Sequence, residues 1–219
     1  VEKVILGPER KSHILSEKEK RITAYHEIGH ALIASILPHS DPVHKVSIIS
    51  RGHAAGYTLK LPFEDKKLES KKEFLDDIAV SLGGYAVEQL IFNDITTGAS
   101  NDIAVATTMA RDMVTRYGMS DKLGPVAYDV GAQKYLNNGG MIAEKLSSES
   151  VSALIDAEVS EIMNFALTRA RELVTTNRKA LDSMAEELIK VETIDREDFE
   201  KLLILNGIKP KEREKTAVK

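Results

Sequence analysis

Residues 22–35 read ITAYHEIGHALIAS. Two of the chain's six histidines, His26 and His30, stand four apart in an otherwise apolar run, with Glu27 beside the first. Just upstream, Ser16-Glu17-Lys18-Glu19 has the spacing of a capping box, so a helix is expected to open there and to run to Leu37, where Pro38 stops it. At about 100° per residue, His26 and His30 fall within about 40° of each other on one helix face, and Glu27 lies about 60° from His30. This is the His-Glu-x-x-His pattern of zinc hydrolases. The chemistry asks for these residue types. Neutral imidazoles hold Zn²⁺ and leave most of its charge uncompensated, so that it acidifies a water and polarises a carbonyl. A glutamate beside them takes the water's proton and hands it to the leaving amine. The pattern arises by chance roughly once in a hundred chains of this histidine content. Two imidazoles without partners would also be costly to bury on such a helix.

A catalytic zinc ordinarily takes a third protein ligand, and spacing alone does not choose it. Glu88 falls on a second apolar helix, beside Ser81 and Gly84. Asp102 falls in the first turn of a third helix, where a carboxylate also favours the helix dipole without any metal. His39, His44 and His53 are near in sequence but fall in turns or a hairpin. On the residues alone, Glu88 and Asp102 stand level.

The remainder of the chain sets the frame. With 219 residues there is room for a sizeable core, and 42% hydrophobic against 29% charged residues marks a globular chain. No apolar run approaches the ~18 residues needed to span a bilayer, and the opening VEKVILGPERKS is charged, unlike a signal peptide. The chain begins with Val1 and is expected to be a piece of a longer one. A net charge of −4 offers nothing to nucleic acid. The absence of cysteine removes disulfides, thiol catalysis and thiolate zinc sites, so any metal must rest on histidine and carboxylate.

Helix signals dominate. Ser70-Lys71-Lys72-Glu73 is a second capping box, opening one apolar helix expected to reach about Phe92. VHKVSIIS from Val43 and GYTLKL from Gly56 read as a β-hairpin about the turn RGHAA. A helix is expected from about Ser100 to Tyr117, closed by Gly118. A long mobile loop rich in Gly and Asn is expected over 119–147. Helices are then expected over Glu149–Thr175, Arg178–Val191 and Arg196–Leu205. The tail from Lys209 is mixed in charge and reads as a frayed end. The expected fold is mainly α with a small β-hairpin or sheet.

Several blocks, in this order, resemble the FtsH-type ATP-dependent zinc metalloproteases, the membrane-anchored AAA proteases. They are VEKVILGPERKS, AYHEIGHALIA, GYTLKLP, LGGYAVEQLIF, TTGASNDIAVAT, RYGMSDKLGPVAY and ETIDREDFEKLL. The resemblance implies a linker over 1–15 from an ATPase module outside this chain, a protease domain over 16–208, and a flexible tail over 209–219. It implies His26, His30 and Asp102 as zinc ligands, Glu27 as catalytic base and Glu88 as a neighbour orienting a histidine. It implies a homo-hexamer acting on unfolded or membrane-extracted polypeptide. It implies a full-length protein anchored in a membrane, with this domain on the cytoplasmic side, or the matrix or stroma side in an organelle. ATP would act only through the absent module, since no G-x-x-x-x-G-K-[ST] pattern occurs. The strand around Tyr57, Thr58 and Leu59 is expected to hold extended substrate by strand addition. Ile28 departs from the family's usual Ala, on the helix face away from the histidines. A contrasting reading is a non-catalytic, zinc-stabilised hexamerisation module. Glu27 argues against it, because a purely structural site has no need of a base.

Overall fold

A computed structural model describes residues 15–50, 54–64, 67–129 and 147–212. All but the last residue of the expected linker, His53, residues 130–146 of the expected loop, and the tail beyond 212 lie outside the described residues. The elements run α1 (Glu17–Ile36), β1 (Val43–Ser47), β2 (Tyr57–Lys60), α2 (Lys71–Ser81), α3 (Gly83–Phe92), a short 3₁₀ turn (Thr97–Ala99), α4 (Ser100–Thr115), α5 (Glu149–Thr176), α6 (Arg178–Val191), β3 (Thr193–Asp195) and α7 (Arg196–Leu205). The domain is mainly α with a small sheet, as the sequence predicts.

Both capping boxes form. The Glu19 amide donates to Ser16 Oγ at 3.3 Å while the Ser16 amide donates to Glu19 Oε2 at 2.9 Å. Ser70 and Glu73 repeat the exchange at 3.3 and 2.7 Å. The first helix ends at an extended Leu37, the conformation that Pro38 imposes on the residue before it. From Ala24 to Ser35 every residue of α1 is buried. α3 and α6 pack against it, together with α2, α5 and the first two strands. The His-Glu-x-x-His turn therefore sits in the middle of the domain.

Three points depart from the sequence reading. The single helix expected from Ser70 to Phe92 is broken at Leu82 into α2 and α3. The reason lies in Gly83 and Gly84, poor helix formers pressed against α1. A Cβ on Gly29 would meet Val87 Cγ2 at 2.7 Å and the Gly83 carbonyl at 2.9 Å, so the two backbones touch where a side chain would hold them apart. The hairpin is part of a three-stranded sheet ordered β2-β1-β3, and the third strand carries no strand signal of its own. It pairs antiparallel with β1, Ile194 opposite Val46, leaving β2 at the sheet edge. The third helix ends at Thr115, short of Tyr117. Gly118, at φ 61°, then turns the chain so that the Met119 amide reaches the Met113 carbonyl.

α5 is continuous over 28 residues. Its Arg169 pairs at 2.6 Å with Asp76 of α2, which is 1% exposed and also accepts the His39 amide at 3.0 Å. Among the described residues no helix is long and apolar enough to cross a membrane.

Candidate metal centre

α1 presents His26 and His30 side by side, ring centroids 4.8 Å apart. Facing them across a cleft of about 900 Å³ is the first turn of α4 with Asp102. Asp102 Oδ2 lies 3.0 Å from His26 Nε2 and 3.4 Å from His30 Nε2. One ligand atom from each of the three residues falls within 4.8 Å of the others. Among the described residues this is the group that could hold a metal ion. His39, on the turn after α1, and His44, on β1, are not brought to it.

The other ring nitrogens explain why these imidazoles are aimed. His26 Nδ1 is 2.7 Å from Glu88 Oε1, and His30 Nδ1 is 2.7 Å from the Val80 carbonyl. A carboxylate and a carbonyl only accept, so each Nδ1 carries the proton. In a neutral imidazole the Nε2 is then a bare lone pair. Two such lone pairs and the Asp102 carboxylate converge with no donor among them, and a cation is the group that fits. Without one, a proton on His26 takes its place. Burial opposes charging His26, but hydrogen bonds to Asp102 and Glu88 outweigh it and hold the pKa up to about 10. Burial likewise opposes ionising Asp102, yet the two histidines keep its carboxyl well below the usual range. Glu88 is also lowered against its burial, by His26 and by the Thr96 amide.

Glu88 therefore does two jobs. Its Oε1 accepts from His26, and its Oε2 accepts the Thr96 amide at 2.6 Å. The second bond ties α3 to the Thr96-Thr97-Gly98 segment, whose own Thr96 Oγ1 accepts the Gly98 amide at 3.1 Å. That segment delivers Asp102. Spacing leaves the two carboxylates level; in the structure Asp102 lies beside both Nε2 atoms, while Glu88 lies on the Nδ1 side of His26.

Glu27 is 7% exposed and flanks the cleft. Burial pushes its carboxyl up, and the histidines and Thr58 pull it part of the way back. Thr58, on β2, donates to Glu27 Oε2 at 2.8 Å, with the Glu27 carbonyl at 3.0 Å. Ile28 is fully buried in the core.

Sequence reasoning missed three contributors. The helix break leaves the Val80 carbonyl in the last turn of α2, where carbonyls lack helical donors, and His30 uses it. Gly84 lies flat against His26, since a Cβ there would stand 2.3 Å from His26 Cε1. Thr96 holds Glu88. The signal available for the first two was the Gly-Gly pair in an otherwise helical pattern; nothing flagged Thr96.

The chain matches peptidase family M41 over residues 13–202. It is 48% identical over 204 residues to the ATP-dependent zinc metalloprotease FtsH 3 of Petrotoga mobilis, an overlap of 93% of this chain and 32% of that protein. It is 47% identical over 204 residues to the ATP-dependent zinc metalloprotease FtsH of Pseudothermotoga lettingae, covering 93% and 33%. With the Veillonella parvula protein of the same name it shares 45% over 217 residues, 99% of this chain and 34% of that protein. The chain spans about a third of the length of these curated relatives. A match whose span takes in α1, the sheet, α4 and α6 leaves one assignment: the chain belongs to peptidase family M41.

Proposed function

We propose that this chain is the protease domain of an ATP-dependent zinc metalloprotease, cleaving peptide bonds of unfolded or membrane-extracted polypeptides. The observation that carries the reading is the convergence of two imidazole lone pairs and one carboxylate beside a buried glutamate. In this reading His26 Nε2, His30 Nε2 and Asp102 hold zinc. The ion, when bound, supplies a Lewis acid that polarises the scissile carbonyl and acidifies the attacking water. Glu88 and the Val80 carbonyl fix the two imidazole tautomers. Glu27 takes a proton from the water and returns it to the leaving amine, a role suited to a carboxyl pushed upward by burial. A base in this position does not favour the alternative of a purely structural, hexamer-forming zinc module.

Substrate is read as entering extended. β2 is the edge of the sheet and lies against Glu27, so a peptide added beside Tyr57, Thr58 and Leu59 would run past the site. A folded domain cannot offer its backbone in this way, and opening one costs about 5–15 kcal/mol. That work falls to an ATPase module outside this chain. The complete protein is read as a homo-hexamer anchored in a membrane, with this domain on the cytoplasmic side, or the matrix or stroma side in an organelle. α5 offers a face for assembly: Leu154 and Phe165, eleven residues apart and so on one side of the helix, are 50% and 55% exposed.

The test is digestion of an unstructured polypeptide by zinc-loaded protein, with and without a chelator, beside Glu27→Gln. Chelation should abolish cleavage. Glu27→Gln should keep its zinc and lose roughly 10²–10⁴-fold in rate. Cleavage that survives chelation, or a Gln variant at the parent rate, would contradict the reading.

A further inference from the structure

We propose that the hydroxyl of Thr58 is a positioning group for Glu27, fixing the carboxylate through one oxygen and leaving the other to take the proton; this rests on the reading of Glu27 as the base. Among the described residues Thr58 is the one hydrogen-bond donor to that carboxylate, at 2.8 Å to Oε2. A carboxylate that is 7% exposed needs such a donor to be held in one place. The hydroxyl has a single proton and two acceptors in reach, the carboxylate and the Glu27 carbonyl at 3.0 Å. The charged acceptor is the stronger and the nearer, so the proton goes to Oε2. Oε1 then has no donor of its own among the described residues.

The strand is built for this contact. Gly56 immediately precedes β2 (Tyr57–Lys60), two residues before Thr58. A Cβ on Gly56 would stand 2.9 Å from Glu27 Cγ and 2.8 Å from Thr23 Cγ2. The glycine therefore leaves room for the aliphatic stem of Glu27, while Thr58 grips its head. Thr58 stands opposite Val46, which is fully buried, so the strand is seated on the core at this position. The residue that holds the base thus belongs to the edge strand proposed to receive the substrate.

Thr58→Val keeps shape and volume and removes only the hydroxyl; Thr58→Ser keeps the hydroxyl and removes the methyl. Both are made in the full-length, zinc-loaded enzyme, beside Glu27→Gln, and assayed on an unstructured fluorogenic peptide with zinc content measured in parallel. Thr58→Val should lower kcat by about 10- to 100-fold, the cost of a loosened catalytic group, with KM within about twofold and zinc content unchanged. Thr58→Ser should recover most of kcat. A Thr58→Val enzyme with the parent kcat overturns the proposal. So does a loss confined to KM, which marks a substrate contact, or a loss of zinc, which marks a role in the metal site. A Ser variant as impaired as the Val variant overturns it too, by assigning the effect to the methyl group. Glu27→Gln separates the two layers: if it cleaves at the parent rate, the base reading itself has failed, whereas an inactive Gln variant beside a fully active Val variant removes Thr58 alone.

Discussion

α5 and the α2–α3 pair are built on the same helical rules and end differently. α5 runs unbroken for 28 residues and serves packing, bonding to its neighbours through side chains such as Arg169 on Asp76. The stretch from Lys71 to Phe92 breaks at Leu82, and each side of the break supplies the site: the Val80 carbonyl orients His30, and Gly84 makes room for His26. The difference teaches that local propensity decides a helix where only a face must be buried. Where the backbone must come within reach of a reacting group, tertiary contact decides.

The largest effect expected on the broken side concerns the metal. Asp102→Asn removes a carboxylate facing both imidazoles and should weaken zinc binding more than Glu88→Gln does, the latter by about 10- to 100-fold. Competitive metal titration ranks the two. The reverse order would exchange their roles and place the third ligand on α3.

Next, Gly84→Ala and Ala157→Gly test the comparison from opposite directions. By propensity alone the first should strengthen a helix, and the second, at an exposed site on α5, should weaken one by about 1 kcal/mol. The expected outcome is that Ala157→Gly lowers melting temperature and leaves zinc affinity alone. Gly84→Ala, whose Cβ would fall 2.3 Å from the His26 ring, should lower zinc affinity by at least about tenfold. If Gly84→Ala binds zinc as the parent does, the break serves packing only.

The smallest effect is a pH dependence. In chelated protein the pKa of His26 is raised from 6.5 to about 10. Its contribution to stability is therefore complete below about pH 6.5 and is lost as pH rises through about 10. Zinc replaces that proton, so its affinity rises over the same window. The gap in melting temperature between loaded and chelated protein should widen from pH 6.5 to 10. A constant gap would mean that His26 holds no proton which the metal displaces.

Much of this was legible in the sequence because it is local. Ser16 with Glu19, and Ser70 with Glu73, announce helix starts within four residues. His26, Glu27 and His30 announce a candidate metal face within five. The illegible part is the part made by distance in the chain. Asp102 meets His26 across 76 residues and Glu88 across 62, and no periodicity relates them. β3 is three residues long and exists by pairing with β1. Thr58 could be placed on a strand from its neighbours, but not beneath a carboxylate. The break at Leu82 was visible only as two glycines, whose purpose depends on a helix some fifty residues earlier.

The measurement that bears most directly on the account is the zinc environment of the loaded protein, by a crystal structure with anomalous data at the zinc edge. The account predicts one ion bound by Nε2 of His26, Nε2 of His30 and the Asp102 carboxylate, with Zn–N distances of about 2.0–2.1 Å and Glu88 still on His26 Nδ1. An ion coordinated by Glu88 in place of Asp102, or one bound away from the two histidines, would contradict it.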